Sequence, residues 1–128
     1  MDHVYFSDGN EKRISWAIQS NNVTVEQYRE QADIYLDKIS TEQSKYIALH
    51  VGIFWCVGTF IIKNGDTVKI MLDSKTMFDH LANNDTVTDS FIISRTGFIK
   101  QLIEQRKLII KYELIEPQHN IATKTLSL

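Results

Sequence analysis

Residues 67–81 contain the pattern of a strand that leads directly into a helix, and this unit constrains the fold more than any other part of the chain. Apolar side chains alternate over residues 68–72 as they do in a buried strand. Ser74 then offers an oxygen that can cap the first turn of a helix. Asp73 therefore lies at the carboxyl end of a strand, where open α/β sheets bind ligands. The alternative is that Asp73 only supports the helix cap.

Length and composition narrow the possible classes of protein. A chain of 128 residues can bury one core without disulfides or a structural metal. No run approaches about 20 apolar residues, the length of a membrane span, and the start shows no export signal, so we expect a cytoplasmic protein. The only cysteine, Cys56, excludes an internal disulfide and a cysteine-rich zinc site, and its apolar neighbours indicate a core position. The net charge of −2 gives no overall attraction to nucleic acid.

The first third of the chain predicts three strands. Residues 3–8 and 13–19 are rich in strand-forming residues, and the intervening Asp-Gly-Asn is a turn signal. Residues 20–22 (Ser-Asn-Asn) form a second turn signal, which leads to a third strand over 23–28. A helix over 25–38 fits the apolar spacing equally well and is the alternative to the strand, which we keep as the prediction.

The rest of the chain predicts helices and two further strands. A capping box at residues 40–43 opens a long, largely apolar helix. The later elements are a strand ending before Asp73, a helix over 75–82, an ambiguous stretch at 87–93, a helix over 96–105, a strand over 107–115 and a short helix near 120–126. The order βββαβααβα implies one α/β domain over residues 1–128, with a mixed five-stranded sheet, antiparallel front strands and helices on both faces.

Three carboxylates lie at the ends of strands or at the start of a helix, where they can belong to one site. Asp8 ends the first strand, Glu42 lies in the first turn of the long helix, and Asp73 ends the fourth strand. The surrounding motifs are Tyr-Phe-Ser-Asp-Gly at 5–9, Ser-Thr-Glu at 40–42 with Tyr-Ile-Ala-Leu at 46–49, Val-Lys-Ile-Met-Leu-Asp-Ser-Lys at 68–75, and the ending at 108–122. In this order they resemble the ribonuclease H family, and most closely the ribonuclease H domains of copia-type retroelements.

The resemblance implies a metal-dependent endonuclease that hydrolyses the RNA strand of RNA–DNA hybrids. Two cations about 3.5–4 Å apart can activate a water and stabilise the leaving oxygen. Mg²⁺ or Mn²⁺ would be held by oxygen ligands. By resemblance, Asp8 bridges the two ions, Glu42 binds one of them and Asp73 holds the other side of the pair. Because apposed carboxylates repel one another, such a cluster is not expected to form for stability alone.

Two departures from the family pattern bear on activity. The family's last acidic ligand follows an alanine, but Ala122 is followed by Thr123, whose neutral hydroxyl is a poorer ligand for a hard cation. The segment between Tyr28 and Glu42 is also longer than usual. The alternative is therefore a degenerate, non-cleaving domain that binds nucleic acid or a protein partner. A third reading is a small protein that uses the fold for interaction only.

Residues near these acids are candidates for contact with a duplex. Lys12 and Arg13 follow the first strand and Lys75 follows Asp73, so their charges could meet phosphates. The neighbouring polar side chains are Asn10, Ser74 and Asn120. His119 could assist proton transfer or product release, and the alternative is a solvated loop residue.

Overall fold

The computed structural model describes residues 1–127 and contains the predicted strand–helix unit. β4 (Thr67–Leu72) alternates between buried and half-buried side chains, and the Ser74 hydroxyl accepts from the Met77 amide at 3.2 Å to cap α2 (Lys75–Asn83). The other elements are β1 (Asp2–Gly9), β2 (Arg13–Ser20), β3 (Val23–Glu30), α1 (Thr41–Gly58), α3 (Ser90–Gln105) and β5 (Ile109–Leu114). None of the helices within the described residues is long and apolar enough to cross a membrane.

The five strands form one mixed sheet in the order β3-β2-β1-β4-β5. β1 pairs antiparallel with β2 and parallel with β4, and β4 pairs parallel with β5. The turn between β2 and β3 has positive φ at Asn21 and Asn22, the conformation of a two-residue hairpin that asparagine tolerates. The sheet confirms the predicted mixed α/β fold, including the antiparallel front strands. Helices were predicted on both faces, but all three α-helices pack on one face and the other is covered by 3₁₀ turns.

Helix α1 packs very closely against the sheet. Its capping box forms as predicted, because Ser40 and Gln43 each bond the other's backbone amide. Gly52 allows the close approach, since a Cβ there would lie 1.8 Å from the Tyr5 hydroxyl. That hydroxyl donates to the Ala48 carbonyl at 2.8 Å, so the helix and β1 are joined by a buried hydrogen bond as well as by packing.

The two faces of the sheet carry different cores. All three α-helices contribute to the larger core, in which Cys56 is fully buried, as its apolar neighbours predicted. The opposite face buries a smaller cluster around Phe6 and Ala17 beneath the C-terminal segment, which contributes Ala122. That segment forms two 3₁₀ turns, Pro117–His119 and Thr123–Ser127.

The third strand, predicted over 23–28, forms and continues to Glu30, whereas the alternative helix over 25–38 does not form and residues 33–38 are turns. Two predicted elements differ from the observed ones. α3 begins at Ser90 instead of residue 96, because Asp89 accepts from two backbone amides at its start. The short helix near 120–126 is replaced by 3₁₀ turns, since the Asn120 side chain bonds the Ala122 amide and the Ser7 carbonyl instead of leaving the backbone in a regular helix.

Candidate functional site

Asp8 and Asp73 meet at the edge of the sheet that the carboxyl ends of β1 and β4 form. Asp8 lies near the end of β1, and Asp73 directly follows β4, the parallel neighbour of β1. Parallel neighbours bring their carboxyl ends to the same edge, which is why residues 65 positions apart come together. Both carboxylates are nearly buried, with side chains 8% and 7% exposed.

The ammonium of Lys45 lies between these two carboxylates. Its Nζ donates to Asp8 Oδ1 at 3.0 Å and to Asp73 Oδ1 at 2.8 Å. Burial alone would lower the pKa of Lys45, but the hydrogen bonds to Asp73 and Asp8 and their negative charges outweigh it, so the pKa is raised above 10.5. Lys45 therefore stays protonated at neutral pH and forms a cationic bridge across the site.

Neutral donors bind the other oxygens of the same carboxylates. Thr123 Oγ1 donates to Asp8 Oδ2 at 2.6 Å and so holds this carboxylate directly. Asn120, which is buried, donates to Asp73 Oδ2 at 2.9 Å and to the Ser7 carbonyl at 2.9 Å. All four oxygens of Asp8 and Asp73 accept a hydrogen bond from within the chain.

Glu42 lies beside this cluster and does not contact its central cation. Its Oε1 accepts from the Ser74 hydroxyl at 3.0 Å, and Ser74 caps α2 at the same time. His119 is exposed on a 3₁₀ turn, next to the buried Asn120. The structure thus brings Asp8, Asp73 and Thr123 together and places Glu42 and His119 outside their hydrogen-bond network.

This donor set does not fit a pair of divalent cations. Mg²⁺ and Mn²⁺ bind carboxylate oxygens, but the position between Asp8 and Asp73 is occupied by the Lys45 ammonium, which bonds one oxygen of each carboxylate. Among residues 1–127, no three His, Cys, Asp or Glu side chains form a group that could hold a metal. The Lys45 ammonium places one positive charge between the two carboxylates.

The cations predicted to meet phosphates are near this edge, and each contacts a carboxylate. Lys12 bonds Asp37 at 3.2 Å and Lys75 bonds Asp79 at 2.8 Å. Arg13 bonds Glu30 and also donates to the Thr125 carbonyl. Asn10 has a structural part, because its side chain accepts from the amides of Lys12 and Arg13 and closes the turn after β1.

Lys45 is a residue of the site that was not predicted from the sequence. It lies three residues after Glu42 on the same helix, just before the apolar run that starts at Tyr46. A lysine one turn from an acidic residue is ordinarily read as a solvated pair. One signal was available. Glu42 and Asp73 were both predicted to face one pocket, and Lys45, three positions after Glu42, lies on the same face of the helix.

Comparison with known proteins identifies the fold. No protein-family model matches the chain, and no curated protein sequence matches it either. Three similar solved structures are those of the N-terminal RNase H domain of rv2228c from Mycobacterium tuberculosis fused to maltose-binding protein, of RNase H1 from Halobacterium salinarum, and of LC11-RNase H1 in complex with an RNA/DNA hybrid.

The similarity extends over nearly the whole length of each protein. The mycobacterial domain has a TM-score of 0.72 at 13% identity, with 98% of this chain and 94% of that one covered. The archaeal enzyme has a TM-score of 0.74 at 12% identity, with coverages of 98% and 96%. For LC11-RNase H1 the TM-score is 0.70 at 12% identity, with coverages of 96% and 91%. The chain therefore has the ribonuclease H fold.

Proposed function

We propose that this chain is a ribonuclease H-fold domain that binds RNA–DNA hybrids without cleaving them. The observation that carries the proposal is the Lys45 ammonium, which donates to Asp8 at 3.0 Å and to Asp73 at 2.8 Å. A hybrid as the partner is supported by the similar LC11-RNase H1, which was solved with an RNA/DNA hybrid.

The charge of the site supports binding without metal. A cluster of unpaired carboxylates repels phosphate unless cations neutralise it. Here the two carboxylates share the ammonium of Lys45, which leaves a single excess negative charge at the centre. The ammonium therefore halves the negative charge that a phosphate backbone meets at this edge of the sheet without bound ions, and it leaves no metal there to activate a hydrolytic water.

The neighbouring cations can supply phosphate contacts. The Lys12–Asp37 pair is 72% and 54% exposed, and the Lys75–Asp79 pair is 75% and 25% exposed. Exposed ion pairs contribute little to stability, so these lysines can exchange a carboxylate for a phosphate at small cost. Phosphate contacts release counterions, and binding is therefore expected to weaken steeply as salt is raised.

Two measurements on the same labelled hybrid test the proposal. Fluorescence anisotropy in EDTA should show binding that weakens with salt, and denaturing gels should show an intact RNA strand after incubation with Mg²⁺ or Mn²⁺. Lys12→Gln and Lys75→Gln should each weaken binding and reduce the salt slope by about 1 for a lost phosphate contact. Lys107→Gln is the matched control, because Lys107 is exposed and lies outside this edge. Binding that is absent, or insensitive to salt, would contradict the proposal.

Metal-dependent cleavage of the hybrid is the second candidate function. It is favoured by the convergence of Asp8 and Asp73 on one point and by the 18% exposure of the Lys45 side chain, whose flexible stem could leave the site for solvent. This function requires displacement of Lys45. Cleavage by the wild-type chain with Mn²⁺ that disappears in Asp8→Asn would establish it and overturn the non-cleaving proposal, whereas cleavage that persists in Asp8→Asn would come from a contaminant.

A further inference from the structure

A groove with no role in the acidic site runs along the outer side of α1. Four adjoining cavities of about 250, 220, 350 and 210 Å³ make it up. Successive cavities share lining residues, with Val51 and Phe54 on the floor and Arg29 and Arg95 on the two walls. From Ile47 to Gly58 the floor is about 17 Å long at the helical rise of 1.5 Å per residue.

The groove exposes aromatic surface that the fold does not use. Phe54 is 63% exposed although α1 is otherwise a largely buried helix, and Phe98 on α3 is 53% exposed. The ring of Phe98 stacks on the ring of His50, with 6.2 Å between the ring centroids, and forms one end of the groove. Clustered exposed aromatic side chains on a small domain indicate a site of interaction, whereas single exposed apolar residues do not.

Two guanidinium groups border the aromatic floor without a carboxylate partner. Within residues 1–127, neither Arg29 nor Arg95 forms an ion pair, although Lys12, Lys75 and Lys124 all do. Arg29 lies over the Trp16 ring at 5.4 Å, and Arg95 donates to the Tyr35 hydroxyl at 3.0 Å. These contacts orient both groups and leave their charge available to a ligand.

The remaining charges favour an acidic ligand. Glu30 also lines one of the cavities, but its carboxylate is engaged by Arg13. A positive wall on both sides of an apolar floor selects a molecule with carboxylates beside a large apolar group. A second copy of this chain is disfavoured, because a two-fold interface across the groove would place Arg29 and Arg95 against like charges.

We propose that this groove binds a short peptide segment of a protein partner, in which a large apolar side chain is flanked by aspartate or glutamate. The apolar anchor would pack on Phe54 and Val51, and the carboxylates would pair with Arg29 and Arg95. Cavities of 220–350 Å³ suit individual side chains, as in the groove-binding mode of amphipathic segments. The proposal does not rest on hybrid binding, which involves a different edge of the domain.

A phage-displayed library of short random peptides, selected on the wild-type chain, provides the probe. We expect enriched peptides to carry an acidic residue close to a Leu, Ile, Phe or Trp. The leading peptide, made synthetically with a fluorophore, should bind Phe54→Ser and Arg29→Glu about tenfold more weakly, a difference of about 1.4 kcal/mol. Its version with Asn and Gln in place of the acids should lose affinity for wild type to a similar extent.

Matched variants separate a specific effect from damage to the fold. Phe60→Ser removes an aromatic ring that is 78% exposed outside the groove, and Arg106→Glu reverses an exposed charge elsewhere. Both controls should bind the peptide as wild type does, and circular dichroism should show all four variants folded. Unchanged hybrid binding by Phe54→Ser would show that the two sites are independent.

Four results would overturn the proposal. They are the absence of any enriched peptide, enriched peptides without acidic residues, a dimer in sedimentation that dissociates in Phe54→Ser, and binding of single-stranded oligouridine that is lost in Phe54→Ser. The third would identify a second copy as the occupant, and the fourth would identify a nucleic acid.

Discussion

Replacing Lys45 with methionine removes an ammonium from between two nearly buried carboxylates and keeps an unbranched side chain. Removing one partner of a buried ion pair costs about 3–5 kcal/mol. Two features reduce this value: Lys45 is 18% exposed, and Asp8 and Asp73 each keep neutral hydrogen-bond donors. We therefore expect Lys45→Met to lower the free energy of unfolding by about 2–3 kcal/mol.

Divalent cations should restore part of this loss. Without Lys45, the carboxylates of Asp8 and Asp73 face each other with no counter-charge and can take up Mg²⁺ or Mn²⁺. A cation at a hundredfold excess over its dissociation constant stabilises the folded chain by about 2.7 kcal/mol. Urea unfolding followed by tryptophan fluorescence, with EDTA or with Mn²⁺, measures both effects. The free energy of unfolding of the wild-type chain should not depend on divalent cations, because the Lys45 ammonium already lies between the two carboxylates.

Lys75→Met is the matched control for this prediction. Lys75 also contacts an aspartate at 2.8 Å, but its side chain is 75% exposed, so its replacement should leave stability and cation dependence unchanged. A Lys45→Met chain that unfolded at the same urea concentration as wild type would show that the ammonium does not stabilise the site. Equal stabilisation of the wild-type chain and the variant by Mn²⁺ would show that the ammonium does not exclude the cation.

Two further predictions concern packing and pH. Gly52→Ala should destabilise the chain by about 1–3 kcal/mol, because the added Cβ overpacks α1 against Tyr5. Gly97→Ala should stabilise α3 by about 0.5–1 kcal/mol, because its Cβ meets nothing within 4 Å and alanine favours a helix. Equal urea midpoints for the two variants would contradict this prediction. Burial would raise the pKa of Asp66, but hydrogen bonds, chiefly from the buried His3, lower it to about 2. The ionised Asp66 carboxylate therefore stabilises the fold fully above about pH 4, and this stabilisation is lost as the pH falls toward 2. The free energy of unfolding of Asp66→Asn should accordingly fall less steeply over this range than that of wild type. Parallel pH profiles of the two proteins would contradict the lowered pKa of Asp66.

Local signals predicted most of the fold because they act over a few residues. The Ser40 capping box, the Asn21-Asn22 turn and the alternation that precedes Asp73 each depend on contacts within one turn or one strand. The third strand was ambiguous for a physical reason. β3 is an edge strand whose side chains are exposed on nearly every position, so it shows little of the apolar alternation that identifies a strand.

The candidate site was only partly predictable, since its central bonds join distant parts of the chain. Asp8 and Asp73 could be placed at one edge because both end parallel strands. Lys45 bonds residues 37 and 28 positions away, and the local pattern indicates only that it shares a helix face with Glu42. Glu42 was predicted from a motif, whereas the side chain that contacts both carboxylates is that of Lys45, three residues later.

We expect Lys45 to take the place of divalent cations at the sheet edge. Anomalous scattering from a crystal of the wild-type chain soaked in MnCl₂ measures whether it does. We predict no manganese peak at the carboxylates of Asp8 and Asp73, with the Lys45 ammonium still between them. A manganese peak bound to both carboxylates, with Lys45 turned toward solvent, would contradict it.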